Sequence, residues 1–432
     1  IIQFVAKYVP VANFVMECTG VYHIPLYFAL RDAYPKLANR VIAMNPLLLS
    51  RRITDFGSKA DKADARSMAS LSFYDAMLKP SYIGDMNFHL LRDMIRRYYR
   101  SVSLCTQAKN RITRGLHRLN IKDAFDLNRE TDLEVFGRFL CDTRSLGEVY
   151  SEILQLLKED NRSTTRFDKI YGKIVPYLNM IIPDNAKFLL RTELTYLLHE
   201  QATKSRFLLE AESYVIHDPL LRRNYRLLLR LPGMGTISAL TVLVEIGDYF
   251  RFANAGAFAK FCGTAPYVYE SADHRSRGTI NRCSNKYIRT ALVRVAGRLV
   301  NGIDAYGDLG VYAREQYKTR GLPYKKACMK VANKLSRIIY HVLVTGIIYD
   351  EFHEFKVEKE AKIDKRLEKR KTILESPHTL GLRRDINKFI GESFQYFNGR
   401  NKFLITTGLW GMLKKAENDG LRKMTERREV KK

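Results

Sequence analysis

What this sequence has little of narrows its class first. The 432 residues hold six cysteines (Cys18, Cys105, Cys141, Cys262, Cys283, Cys328), far apart and without a CxxC pair. That is too sparse for a disulfide framework in a chain of this length, so reduced thiols in a cytoplasmic protein are expected. Long apolar runs are also missing. The longest, near Ile338 to Tyr349, covers about a dozen residues and includes His341, well short of the ~18 needed to span a bilayer. No transmembrane helix is predicted, and no membrane partner. The opening text IIQFVAKYVPVANFVMECTG lacks a basic stretch leading into a long apolar one, so it does not read as a signal peptide. Acidic residues are in deficit as well. Against 46 Asp and Glu stand 73 Lys and Arg, a formal net charge of +27 with a sequence pI near 9.8. Such an excess attracts polyanions, of which nucleic acid is the commonest for a soluble protein.

What is present indicates a folded, multi-domain chain. An apolar fraction of 46% beside 28% charged residues excludes wholesale disorder. At roughly 100–200 residues per domain, the length predicts two or three domains with real cores.

The fold class reads as α/β followed by all-α. Asn13 to Met16 forms an apolar strand running into Glu17, CTGVY is a Gly-containing turn, HIPLYFALRDAY a helix, and RVIAMNP a second apolar strand stopped by Pro46. Strand, helix, strand in this rhythm predicts a parallel pair with a crossover. The segment KADKADARSMASLSFY has helical periodicity and places Asp61 and Asp64 three apart, on one face. Residues 86–230 turn helical and basic, with Arg92, Arg96, Arg97, Lys109 and Arg111 in the first stretch. A long paired array with little core of its own, a spacer or dimerisation coiled coil, is expected there. Residues 231–350 form a compact third module. Residues 351–432 begin with a run of alternating charge that reads as a solvated helix, and the rest carries no motif.

Three groups of residues could carry chemistry. Glu17 at a strand end, with Asp61 and Asp64 on a later helix, could converge at the carboxyl edge of a sheet. Carboxylates gathered there suit Mg²⁺ (or Mn²⁺), hard ions that act at phosphorus. By spacing alone, a solvated helix face is the commoner meaning of such a pair. The text LPGMG from Leu231, before an apolar helix, resembles half of a helix-hairpin-helix, with Gly233 and Gly235 bringing backbone N–H groups to a phosphate. A tight turn between core helices is an equal reading. The stretch GTAPYVYESADHRSRGTINRCSNKYIR reads as a Pro- and Gly-punctuated loop carrying Ser271 among His274, Arg275, Arg277, Arg282, Lys286 and Arg289. There the serine serves as a nucleophile or, more commonly in a basic loop, as a hydrogen-bond donor that positions phosphate.

Three texts in fixed order, ECTGVYH from Glu17, KADKADA from Lys59, and LPGMG through GTAPYVYESADHRSRG to NKYIRTAL, resemble the DEDD-type insertion-sequence transposases numbered one-ten, the bridge-RNA-guided recombinases. The resemblance covers residues 1–350. It implies a RuvC-like (ribonuclease H-like) domain over 1–85, a helical and coiled-coil region that mediates assembly, and a serine transposase domain. Glu17, Asp61 and Asp64 become the second, third and fourth metal-binding carboxylates, and Ser271 the nucleophile that links covalently to DNA. The implied partners are donor and target DNA, a structured guide RNA, and further copies of the chain in a dimer or tetramer whose subunits share composite sites. The implied setting is the cytoplasm of a bacterial or archaeal cell, at the nucleoid. Two departures stand out. No Asp precedes Glu17, where the family has one in a text such as GIDVSK, so the RuvC-like domain is expected to lack its first strands through trimming or gene decay. Ala272 follows the serine where the family usually has Gly. A RuvC-like endonuclease acting on branched DNA, and a remnant that binds nucleic acid without cutting it, are the alternatives.

Overall fold

A computed structural model describes residues 14–18, 20–33, 35, 41–46, 65, 81–141, 145–159, 165–271, 274–280, 284–303 and 307–349, with single positions at 365 and 368. Two compact units divide the chain, residues 1–89 and 90–432.

In the first unit, β1 (Phe14–Glu17), α1 (His23–Ala33) and β2 (Val41–Met44) follow one another. The strands pair in parallel, Phe14 opposite Val41 and Glu17 opposite Met44. Cys18 N–H extends the ladder by donating to Met44 O at 2.8 Å, and Ser81 N–H donates to Ala43 O at 2.7 Å as the chain returns. Gly20, with φ +55°, makes the turn out of β1. Helix α1 buries Tyr27 and Leu30 against Val41 and Ala43, with Phe14, Met16 and Phe28 around them. Burial of a side chain such as Leu30 contributes roughly 1.5–3 kcal/mol. The parallel pair with a helical crossover is the arrangement that the residue pattern predicts.

The second unit is mostly helical. Asp85 Oδ1 accepts from Phe88 N–H at 2.8 Å at the head of α2 (Met86–Arg118), roughly 50 Å long by helical rise. It is followed by α3 (Glu130–Cys141), α4 (Leu146–Glu159), α5 (Thr165–Ile174) and α6 (Asp184–His217). The coreless spacer expected here is replaced by a packed bundle. Ala108, Ile112 and Leu116 of α2 meet Phe136, Phe139 and Leu140 of α3, Tyr150 of α4, Ile174 of α5 and Leu190, Leu194 and Leu197 of α6. The physical reason is the Phe and Tyr content between positions 125 and 150, which gives short helices enough apolar area to enclose.

The last part holds α7 (Pro219–Leu229), α8 (Thr236–Ile246), α9 (Ala255–Phe261), β3 (Pro266–Ser271), β4 (His274–Ile280), α10 (Lys286–Val300), α11 (Gly307–Arg314) with a π turn at Glu315–Thr319, and α12 (Tyr324–Thr345). Asp218, Asn254 and Asn285 accept backbone N–H groups at the starts of α7, α9 and α10, each cap contributing roughly 1 kcal/mol. Helix α8 is buried at every residue from Ser238 to Ile246, so it is the central rod of this module. Among the described residues, no helix is long and apolar enough to cross a membrane.

Candidate nucleic-acid and catalytic site

Glu17 is the last residue of β1, at the carboxyl end of a strand in a parallel pair, where α/β folds place their ligands. Asp61 and Asp64 lie outside the described residues. Among the described residues, no group of three His, Cys, Asp or Glu is arranged to hold a metal ion. The donor chemistry of Glu17 suits an oxygen-seeking ion such as Mg²⁺. Beside it, burial pushes the Cys18 thiol above its ordinary range, against a hydrogen bond with Ser81.

Ser271 sits on a strand where the sequence was read as a loop. β3 and β4 form an antiparallel ribbon with Ser271 opposite His274, Glu270 opposite Arg275 and Val268 opposite Arg277, and an irregularity between Pro266 and Val268. Ser271 is therefore the tip residue of β3, roughly 17 Å along the strand from Pro266. The loop reading failed because Gly, Pro and cations dominate the text, while the strand is set by the Tyr-Val-Tyr run at its centre.

The root of this ribbon is rigid. Thr264, 3% exposed, shares a 2.9 Å hydroxyl contact with Ser336 on α12. Gly263 has φ +69°, and a Cβ there would lie 2.2 Å from Ser284 Oγ, so no other residue fits. Arg289 Nη1 donates to the same Ser284 Oγ at 2.9 Å, which places this predicted phosphate ligand against the root of the ribbon. Lys286 is exposed in the first turn of α10, its Nζ 5.2 Å from the Tyr287 ring centre.

Immediately after the ribbon lies a polar junction that sequence reasoning missed. The Glu245 carboxylate has no exposed side-chain area. Arg96 Nε and Nη2 donate to its two oxygens at 2.7 and 2.8 Å, and Asn285 Nδ2 donates to Oε2 at 2.7 Å. Asn285 Oδ1 meanwhile accepts from Tyr287 and Ile288 N–H. Around this centre, Arg96 stacks 5.0 Å over Tyr287, Tyr99 shares a 2.9 Å contact with Thr241, and Arg294 lies 5.6 Å over Tyr99. Through its hydrogen bond, Glu245 raises the Arg96 pKa further above its ordinary range, while burial raises that of Tyr99. A signal existed in the sequence: Glu245 is a lone carboxylate in the apolar run TISALTVLVEI, and such a residue needs a buried partner.

The other predicted cations of α2 divide. Arg111 Nε lies 2.7 Å from Glu193 Oε1, with the guanidinium 5.6 Å over Tyr196. Lys109 Nζ donates to Asn128 Oδ1 at 2.7 Å. Arg97 is exposed and Arg92 half-buried. The two glycines before α8 also divide. Gly233, buried with φ +68°, would press a Cβ to 3.1 Å from Leu299 Cδ2. Gly235 is exposed, in extended conformation at the head of α8, with open space around its Cα.

Two regions of the chain match models of known protein families. Residues 225–306, which include α8, the ribbon and α10, match the family model described as "Transposase IS116/IS110/IS902 family". Residues 1–121, including the β1–α1–β2 unit, match a DEDD-type IS110 model described as "Transposase". Both matched regions are thus similar to transposases. More particularly, residues 225–306 are similar to the IS116/IS110/IS902 family and residues 1–121 to DEDD-type IS110 transposases. It is similar to the transposase for insertion sequence element IS1111A of Coxiella burnetii, 27% identical over 28% of this chain and 32% of the relative. A probable family 20 transposase of Pseudomonas aeruginosa is 28% identical over 34% of this chain and 43% of its own length. The transposase for element IS1328 of Yersinia enterocolitica is 27% identical, over 33% and 41% respectively. The matched stretches thus span less than half the length of each of these relatives.

Proposed function

We propose that this chain cuts and rejoins DNA as the transposase of an insertion sequence, with Ser271 as nucleophile. The observation that carries the reading is the location of Ser271. It ends a two-stranded ribbon inside the matched module, with His274, Arg275 and Arg277 on the facing strand. Ser271 Oγ attacks a phosphodiester phosphorus and gives up its proton. The bond from phosphorus to the departing sugar oxygen breaks, that oxygen is protonated, and a phosphoserine link remains. In the ribbon register His274 shares the face of Ser271, whereas Arg275 and Arg277 stand opposite Glu270 and Val268 on the alternate face, where they would hold phosphate backbone.

Glu17, Asp61 and Asp64 would hold Mg²⁺ or Mn²⁺, which supplies charge stabilisation at phosphorus when bound. Gly235 at the head of α8 and the exposed Lys286 and Arg97 would bind phosphate backbone. Recognition of donor and target would rest on a structured RNA, with basic surfaces holding backbones more than reading bases. The working form would be a dimer or tetramer, acting at the nucleoid in the cytoplasm.

The test is to trap a covalent protein–DNA adduct. Its disappearance in Ser271→Ala supports the reading, whereas hydrolytic nicks unaffected by that change overturn it in favour of a metal-dependent endonuclease. Asp61→Asn and Asp64→Asn should abolish cleavage while RNA binding, measured by filter retention, stays within about twofold of the parent. Loss of RNA binding in both would mean that the pair is structural.

A further inference from the structure

We propose that α12 presents a row of cations, Lys326, Lys330, Lys334 and Arg337, continued by His341, that seats the sugar-phosphate backbone of duplex DNA. The inference rests on the reading of Ser271 above, but it concerns a different surface.

The 22 residues of α12, YKKACMKVANKLSRIIYHVLVT, contain no carboxylate. Its buried face, Ala327, Val331, Leu335, Ile339 and Val342, is at most 2% exposed, so the rotation of the helix about its axis is fixed by the core. The five residues of the row recur at steps of four, four, three and four on the opposite side, where Lys326, Lys330, Arg337 and His341 are exposed and Lys334 half-buried. By helical rise the four cations span roughly 17 Å, one about every 6 Å, and His341 extends the row to roughly 22 Å.

The partners of these side chains are neutral. Lys330 Nζ reaches Gln316 Oε1 at 3.5 Å, Lys334 Nζ lies 4.4 Å over the Tyr312 ring, and Arg337 Nε is 3.3 Å from Asn333 Oδ1. Among the described residues, none of the five is paired with a carboxylate. These contacts hold the side chains in place without neutralising them, which lowers the ordering cost of binding a polyanion. A duplex offers one charge per ~1.7 Å of axis, so each cation of the row can meet a phosphate.

Geometry favours DNA over RNA as the occupant. Ser336, on the same helix, holds Thr264 at 2.9 Å, two residues before the strand that ends in Ser271. Tyr340 OH donates to Phe252 O at 2.9 Å, and its ring packs on Phe258 of α9. α12 is therefore bonded to the root of the ribbon, and a DNA strand joined to Ser271 is tethered to the module whose surface carries the row.

The experiment uses the full chain with the four substitutions Lys326→Gln, Lys330→Gln, Lys334→Gln and Arg337→Gln. Binding to a DNA duplex of arbitrary sequence and to an RNA duplex of equal length is followed by anisotropy between ~50 and ~200 mM salt. The slope of log affinity on log salt for DNA should fall by about 3.6. An unchanged DNA slope, or a variant that loses only RNA binding, overturns the proposal. The Lys→Arg triple variant at the three lysines keeps the charge and should keep the slope. If the four-fold variant does not fold, Lys330→Gln alone should lower the DNA slope by about 0.9. Adduct formation at saturating DNA reports on Ser271 separately. A parent that forms no adduct defeats the reading of Ser271, while the slope still decides the row.

Discussion

Helices α2 and α12 bring eight and five Lys and Arg residues respectively, the first against a single Asp93 and the second against no carboxylate. By composition both would attract polyanions. In the folded unit they use charge differently. α2 gives Arg96 to a fully buried Glu245 and Arg111 to Glu193, partners that other helices supply. Among the described residues, the α12 row meets an amide, a ring and an asparagine, and no carboxylate. A cation satisfied by a carboxylate from a distant helix fastens the fold, and one held by a neutral group keeps its charge for a partner. Net charge therefore overstates how much of α2 is available to a polyanion.

The sharpest way to break this contrast is at Arg96. Arg96→Met should cost about 3 kcal/mol in urea unfolding, because it leaves the Glu245 carboxylate buried without its cation and with the neutral Asn285 amide as a donor. Glu245→Gln should cost less, about 1–2 kcal/mol, since Arg96 is 38% exposed and can turn to water. Equal losses would mean that the pair is no more than a surface contact. Next comes Arg111→Gln, expected to cost about 0.5 kcal/mol with no change in the salt slope for DNA, because both partners are roughly a third exposed. A slope change near 0.9 there would return Arg111 to the nucleic-acid surface. The smallest stability effect belongs to Lys330→Gln, within about 0.5 kcal/mol in the same assay. A larger loss would give α12 the fastening role assigned to α2.

The sequence revealed elements more readily than their partners. NFVM, HIPLYFALRDAY and RVIAMNP announce β1, α1 and β2 because strand and helix periods are local and Gly and Pro punctuate them. The turn at LPGMG is legible for the same reason. The core of the central bundle is not, since periodicity marks an apolar face without saying which faces meet. The ribbon was hidden by residues that usually signal loops. Arg96 read as one more exposed cation because its carboxylate is 149 positions away, and no local pattern carries that distance. Ser271, Glu17 and the acidic pair were singled out by chemistry and by resemblance, and of these Ser271 and Glu17 lie at strand ends.

Asn285 uses both ends of its amide, donating to Glu245 through Nδ2 and capping α10 through Oδ1. Hydrolysis of that amide to an aspartate, the commonest ageing lesion of asparagine, would keep the cap and set a second carboxylate beside the first. The Arg96 guanidinium would then face two carboxylates, and the hydrogen bond from Nδ2 to Glu245 would give way to like-charge repulsion. A single chemically aged residue would in this way loosen the junction behind the ribbon.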